Sequence, residues 1–196
     1  MKAQKLTLSL ILACATLPSL GQSADTAFVV IRTELGDIRV ALFRDLAPVT
    51  VDNFLEYVRC GHYDGGSFYR TVRRDNQPEN PVKIEVIQGG GHPWEETFEH
   101  PPIMLERTSE TGLRHSDGTI SMARGGPDTA TSSFFICIGD QPDLDYAGRR
   151  NPDGQGFAAF GQVVEGMDVV RQIHQFESRG QAIMPPVRIV SATVEE

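Results

Sequence analysis

The sequence contains few cysteines and no long apolar run, and these two absences exclude several classes of protein. Only 3 of the 196 residues are cysteine, too few for a disulfide framework. Cys137 lies inside an apolar run, so we expect it to be a buried free thiol and predict no disulfide with Cys60. The apolar stretch at residues 6–12 is shorter than the roughly 20 residues that cross a bilayer, and no later stretch reaches that length. We therefore predict no membrane span.

Positive charge and the common catalytic motifs are also scarce. The 18 lysines and arginines against 26 aspartates and glutamates give a formal charge of −8, which argues against a nucleic-acid partner. The sequence lacks the G-x-x-x-x-G-K-[ST] phosphate loop, the G-x-G-x-x-G dinucleotide turn, H-E-x-x-H and G-x-S-x-G. Its five histidines are scattered, and none has metal-ligand spacing to another histidine or a cysteine. We predict no metal site and no cofactor.

The first 24 residues have the pattern of a secretory signal. Two lysines precede a short apolar run, and small residues follow it. We expect cleavage near Ser23 or Ala24, which leaves a single domain at residues 25–196. This interpretation predicts a periplasmic or secreted protein.

A lipid anchor at Cys14 is the alternative for the same segment. Residues 11–14 loosely resemble a bacterial lipoprotein box, although Leu12 is bulky for its position in such a box. Both interpretations predict that the chain leaves the cytosol.

Hydrophobic periodicity predicts many short strands and two helices. Apolar residues at helical spacing follow Pro48 and end before Gly61, and a second helical pattern spans about residues 165–174. Runs of β-prone residues predict strands at 28–31, 38–43, 67–72, 84–88, 103–106, 119–123, 133–138, 157–164 and 187–194. This balance argues for a closed or nearly closed β-barrel. Two polar stretches, 73–81 and 146–156, are predicted to be surface loops.

Six short segments, none of them specific alone, follow one another along the chain. They are residues 47–54 (APVTVDNF), 68–70 (FYR), 86–90 (VIQGG), 118–123 (GTISMA), 132–136 (SSFFI) and 160–163 (FGQV). In this order they resemble the cyclophilin family of peptidyl-prolyl isomerases, over the chain from Phe28 to the C-terminus apart from the two loops. The resemblance implies an all-β-dominated fold, a closed eight-stranded antiparallel barrel capped by two α-helices.

The resemblance also implies a site for proline-containing peptides. Arg70 matches the catalytic arginine of the family, and Gln88 matches the glutamine beside it. Phe135 corresponds to the floor of a proline pocket. The other implied substrate-binding residues are Val86 and Leu144 as apolar walls, the backbone of Ala123 and Arg124, and Phe157 in place of a rim histidine.

Several positions depart from the family pattern. They are Glu85 in place of a phenylalanine, Arg124 in place of an asparagine, Ser133 in place of a second glutamine, and Asp143 in place of a tryptophan found in many members. The polar stretch 73–81 falls between Arg70 and Gln88, so it could re-aim either residue or bring Ile84 to the place of the missing phenylalanine. The implied pocket is therefore altered around a retained arginine.

Two functions from different classes follow. The first is an isomerase of X-Pro bonds that assists the folding of exported proteins, with proline-containing segments of unfolded or exported proteins as its partners. The second is a proline-peptide binding module with little or no catalytic activity, which the altered pocket favours. A hydrolase that uses Asp128 or Asp143 with His115 rests on residue identity alone. The absence of a long apolar edge or a heptad pattern predicts a monomer.

Overall fold

Eight antiparallel strands close into a barrel in the computed structural model, which describes residues 25–91 and 100–195. The strands are β1 (Thr26–Thr33), β2 (Gly36–Phe43), β3 (Ser67–Val72), β4 (Val86–Gly90), β5 (Thr119–Met122), β6 (Phe134–Cys137), β7 (Ala159–Glu165), β8 (Ser178–Arg179) and β9 (Ala182–Val194). The order around the barrel is β1-β2-β7-β5-β6-β4-β3-β9, and the pairing of β1 with β9 closes it. Strand β8 is a short addition paired with β9. The predicted eight-stranded barrel is confirmed.

Side-chain alternation along the strands separates the barrel interior from the outer face. Phe134 on β6 is fully buried, and its ring meets those of Phe54 and Phe68 edge-on in the main core. The next residue, Phe135, belongs to a separate apolar cluster. Successive residues of a strand face opposite sides of the sheet, so one phenylalanine builds the core and the other is available to a site.

Two helices lie at the predicted positions in the chain, and a short third helix lies between them in sequence. Helix α1 (Pro48–Arg59) begins at a proline, as predicted, and buries its apolar face in the main core. Helix α2 (Thr108–Thr111) is a single turn that the sequence pattern did not indicate. Helix α3 (Met167–His174) buries Val170 and Ile173 completely.

The predicted strand at residues 103–106 is wrong. Only Ile103 forms a β-bridge, with Ala130, and the following residues make side-chain-mediated contacts instead. The amide of Leu105 donates to the Asp128 carboxylate at 2.8 Å. Glu106 accepts from the amides at the first turn of α1, whose N-cap position, Ala47, has no capping side chain. The segment is therefore not a strand but an irregular stretch, and its Glu106 caps the N-terminus of α1.

The two predicted loops are loops in the structure. The first continues to residue 85, so that β4 begins two residues later than predicted. Residues 146–156 contain turns and bends without a helix or strand. Cys60 and Cys137 are both free, and Cys137 is buried as predicted. Within the described residues, no helix is long and apolar enough to span a membrane. The predicted leader, residues 1–24 with Cys14, lies outside the described residues.

Candidate active site

Arg70 is held in place by two glutamines from different parts of the chain. Strand pairing sets Arg70 of β3 opposite Gln88 of β4, and Arg70 Nη1 donates to Gln88 Oε1 at 2.8 Å. The Nε and Nη2 atoms of Arg70 both donate to Gln181 Oε1, at 2.9 and 2.7 Å. Burial lowers the pKa of the Arg70 guanidinium, but an arginine this basic stays protonated. The site therefore presents a fixed, permanent positive charge.

The loop at residues 73–85 supports this arrangement from behind. Gln181 lies in the turn between β8 and β9, and its Nε2 donates to the carbonyl oxygen of Asn76 at 3.3 Å. The Asn76 side-chain amide in turn donates to the carbonyl oxygens of Thr71 and Gly180. The inserted loop thus fixes the residue that orients Arg70.

An apolar cluster separate from the main core lies beside Arg70. Phe135 is 5% exposed and packs with Ile84, Val86 and Leu144. Phe157 packs edge-on against Phe135, with ring centroids 5.3 Å apart and planes at 86°. These side chains form an apolar wall next to a cation, which is the arrangement that a proline ring beside a polar peptide bond requires.

The eight residues implied by the sequence all line one cleft of about 320 Å³. They are Arg70, Val86, Gln88, Ala123, Arg124, Phe135, Leu144 and Phe157. The cleft has four further lining residues, which are Asn80, Ile84, Arg150 and Asn151. Of these, only Ile84 was named from the sequence, as a residue that the first loop could bring to the place of the missing phenylalanine. Sequence reasoning therefore named eight residues that line one cleft but missed Asn80, Arg150 and Asn151, which the two loops contribute.

The departures from the family pattern have local explanations. Glu85 pairs with Arg74 at 3.0 Å, while the neighbouring Ile84 is 7% exposed and lines the cleft. Ile84 thus supplies an apolar side chain near the place of the phenylalanine that the family pattern has at position 85. This is one of the two effects that we expected of the first loop. Ser133 Oγ accepts from the hydroxyl of Tyr69, which itself accepts from Gln88 Nε2.

Asp143 and Arg124 are both engaged by the second loop. Asp143 pairs with Arg149 at 3.0 Å, and this hydrogen bond lowers the pKa of the Asp143 carboxyl group. The Arg124 side chain is 1% exposed, and its guanidinium group binds the Asp153 carboxylate and the carbonyl oxygen of Gly156. The Asp153 carboxylate compensates the charge of Arg124. Arg124 also lines the cleft, where the resemblance implies that its backbone pairs with the substrate.

A buried polar triad lies behind the apolar wall. His115 Nδ1 lies 2.7 Å from Asp145 Oδ1, and His115 Nε2 lies 2.9 Å from Ser121 Oγ. His115 is 1% exposed and Ser121 is fully buried, and none of the three residues is among those that line the cleft. The pairing also differs from the hydrolase hypothesis, since Asp143 pairs with Arg149 and Asp128 accepts from a backbone amide. The triad is a support for the wall.

Gln181 and Arg150 are two of the site residues that sequence reasoning missed. Gln181 follows Gly180 in a turn with no motif around it, and its role depends on a bond across 111 residues of chain. Arg150 lies in a polar loop whose charge pattern resembles any solvated surface. Neither position carries a local signal that distinguishes it from an ordinary polar residue.

Comparison with known proteins agrees with the fold. Residues 28–194 match the family model described as cyclophilin type peptidyl-prolyl cis-trans isomerase/CLD. The chain is 37% identical over 172 residues to a Streptomyces antibioticus protein named peptidyl-prolyl cis-trans isomerase cyp18, which covers 85% of this chain and 97% of that protein. It is also 37% identical over 148 residues to peptidyl-prolyl cis-trans isomerase B of Escherichia coli K12, covering 74% and 82% of the two chains.

A solved structure shows the same fold at lower sequence similarity. The crystal structure of a cyclophilin type peptidyl-prolyl cis-trans isomerase from Cryptosporidium parvum, obtained in the presence of the dipeptide Ala-Pro, aligns with a TM-score of 0.68. It is 21% identical and covers 86% of this chain and 99% of that one.

These matches define an enzyme class that changes the geometry of peptide bonds before proline. The chain belongs to the cyclophilin family of peptidyl-prolyl cis-trans isomerases.

Proposed function

We propose that this isomerase acts on X-Pro bonds of exported proteins and that Arg70 is its catalytic residue. Rotation about a peptide bond is slow because resonance gives the C–N bond double-bond character, with a barrier of about 18–20 kcal/mol. In the twisted state the prolyl nitrogen regains its lone pair and can accept a hydrogen bond. A guanidinium placed at that nitrogen binds the twisted state better than the planar one, which is the requirement for catalysis.

The hydrogen bonds of Arg70 support this role. A guanidinium group has five N–H donors, and the bonds to Gln88 and Gln181 occupy three of them. One N–H on each of Nη1 and Nη2 has no acceptor among the described residues and remains for a substrate. Because the two glutamines accept without neutralising the charge, the full positive charge is retained for the prolyl nitrogen.

The apolar wall supplies the second requirement, which is a fixed proline ring. Phe135, Leu144 and Val86 offer an apolar surface for the ring, and they lie in the same cleft as Arg70. With the ring held there, the residue before proline turns about the bond. The shared cleft of Arg70 and Phe135 is the single observation that carries the proposal.

The direct test is exchange spectroscopy of a short X-Pro peptide with the mature protein and with Arg70→Ala at equal concentration. We expect the wild-type protein to accelerate exchange and Arg70→Ala to lose about 100-fold of that acceleration, as for other donors to a transition state. Arg188→Ala is the matched control, because Arg188 is an exposed residue of β9 outside the cleft. No acceleration by the folded wild-type protein on several peptides would leave the binding-module alternative instead.

The proposed location rests on the leader pattern of residues 1–24. Expression of the full chain in a Gram-negative host, followed by mass spectrometry of the periplasmic fraction, distinguishes the two leader interpretations. A periplasmic protein whose mass corresponds to a chain that starts near Asp25 supports signal cleavage. Recovery in the membrane fraction that is lost in Cys14→Ser supports lipidation. Full-length protein in the cytosol would contradict both.

We also propose that the protein is a monomer. Barrel closure pairs both sides of each barrel strand in the described chain, so the two-residue β8 is the one strand there with an open edge. Sedimentation should give the mass of one chain at all concentrations tested, and a dimer mass independent of concentration would contradict the proposal.

A further inference from the structure

The cleft carries more positive charge than the proposed reaction requires, since Arg70 alone serves the prolyl nitrogen. Its lining contains three arginines, Arg70, Arg124 and Arg150, and no aspartate or glutamate among the described lining residues. The chain as a whole has a formal charge of −8. Acidic residues are therefore abundant in the sequence, yet none lies among the described residues that line the cleft.

Two of the three arginines lack a carboxylate partner. The Arg124 charge is balanced by Asp153 at 2.8 Å. Arg70 bonds only to glutamine side chains, and Arg150 Nη1 donates to Gln77 Oε1 at 2.8 Å and to the carbonyl oxygen of Val82 at 2.6 Å. These acceptors are neutral, and no ion pair joins either arginine to an acid within residues 25–91 and 100–195.

The two unbalanced charges line the same cleft and repel each other. Burial lowers the pKa of the Arg150 guanidinium, and the charge of Arg70 lowers it further. Both effects disfavour the charged form, yet both arginines remain charged at neutral pH. A negative group between them would remove the repulsion, and partial burial would strengthen its attraction to both.

Asn151 adds an independent sign of a missing acceptor. Its Nδ2 atom is buried and has no hydrogen-bond acceptor in the described chain, although the residue lines the same cleft next to Arg150. A buried donor without an acceptor costs about 1–3 kcal/mol, so it is normally satisfied by a partner or a ligand. An amide N–H beside a guanidinium suits a carboxylate oxygen.

We propose that the cleft selects X-Pro segments that carry an acidic side chain adjacent to the proline, with Arg150 as the specificity-determining residue. The proposal rests on the isomerase function proposed above and names its substrate class. Arg70 serves the peptide bond, whereas Arg150 and Asn151 hold the carboxylate of the neighbouring residue.

The test compares kcat/KM on matched peptides that differ at one position beside proline. One series carries Glu, Ala or Lys before the proline, and a second carries the same residues after it. For the wild-type protein at low salt, we expect Glu to exceed Lys by about tenfold in at least one series. The preference should shrink in 0.5 M NaCl because salt screens a partly exposed charge.

Two variants assign the preference to Arg150. Arg150→Gln should reduce the Glu-to-Lys ratio about fivefold or more, and Arg150→Lys should retain most of it. Arg149→Gln is the matched control, since it removes the same charge one position away on an exposed side chain paired with Asp143. That variant should keep the wild-type ratio. Circular dichroism confirms that each variant is folded.

The outcomes separate this inference from the underlying function. Equal kcat/KM on Glu and Lys peptides in both series, with the Ala peptides still isomerised by the wild-type protein, would overturn the substrate preference alone. An unchanged ratio in folded Arg150→Gln would overturn the role of Arg150. If Arg150→Gln does not fold, the wild-type ratio and its salt dependence still decide the preference. No isomerisation of the Ala peptides would refute the proposed function itself.

Discussion

The imidazole ring of His115 stacks on the ring of Phe135, with centroids 5.9 Å apart and planes 15° from parallel. The two ring nitrogens of His115 are held by Asp145 and Ser121, so the ring cannot turn without breaking two hydrogen bonds. The wall of the cleft is therefore backed by a polar network of defined geometry. Apolar packing alone would leave Phe135 more freedom.

Removal of the Asp145 carboxylate should destabilise the fold. In Asp145→Ala, the backbone amide and Nδ1 of His115 lose their acceptor in a buried site, which costs about 1–3 kcal/mol of unfolding free energy. Asp145→Asn retains one acceptor oxygen and should lose less. Urea unfolding measures both values. A loss within error for Asp145→Ala would show that the network does not support the wall.

The lowered pKa of the Asp145 carboxyl group predicts that the protein loses folding stability at acid pH. Desolvation raises the pKa of Asp145, but hydrogen bonds from the side chain and backbone of His115, with its charge, outweigh this and lower the pKa overall. The native state then binds fewer protons than the unfolded state, so stability rises with pH across the interval between the two pKa values. The contribution is complete above about pH 4, the unfolded value, and disappears as the pH falls through the lower folded value.

Urea unfolding of the wild-type protein and Asp145→Asn at several pH values checks this dependence. The stability difference between them should narrow as the pH falls below about 4. A difference that widens toward low pH would contradict the direction of the shift.

Loss of Gln181 should lower activity more than stability. Gln181→Ala removes the acceptor of two Arg70 donors, so the guanidinium gains freedom and kcat should fall about tenfold. Gln172→Ala, an exposed glutamine of α3, is the matched control. A change in KM with kcat preserved would show that Gln181 contacts the substrate rather than orienting Arg70.

The first turn of α1 should depend on a residue distant in sequence. Glu106 accepts from the amides of Val49 and Thr50 at 3.1 and 2.8 Å, so Glu106→Ala should cost about 1–2 kcal/mol of stability, as for loss of an N-cap. Hydrogen exchange at these two amides should accelerate. Glu56→Ala, on the exposed face of the same helix, is the control and should leave their exchange unchanged.

Most of the barrel was predictable because its strands have local signals. The 67–72 strand has the same bounds in sequence and structure, since alternation and flanking turn residues define both ends. Residues 103–106 also form a short, mostly apolar run, yet the Glu106 carboxylate caps α1 and the amide of Leu105 donates to a side chain. Local composition carries no information about such distant partners, so a strand was predicted in error.

The residues of the site also divide into those with a local sequence signal and those without one. Arg70, Gln88 and Phe135 lie on neighbouring strands within segments that carry the family resemblance, so their positions followed from the sequence. Gln181 and Arg150 reach the site through a turn and a loop. Their placement depends on tertiary hydrogen bonds across long stretches of chain, which periodicity and spacing do not encode.

Strand β9 begins beside the site and ends far from it. Ala182 pairs with Arg70, whereas Val194 pairs with Val29 at the other end of the strand, next to the start of β1. Both ends of the described chain thus leave the barrel together, along the length of β9 away from Arg70. An affinity handle or a surface linkage attached at either end would hold the enzyme with its cleft still open to a passing polypeptide.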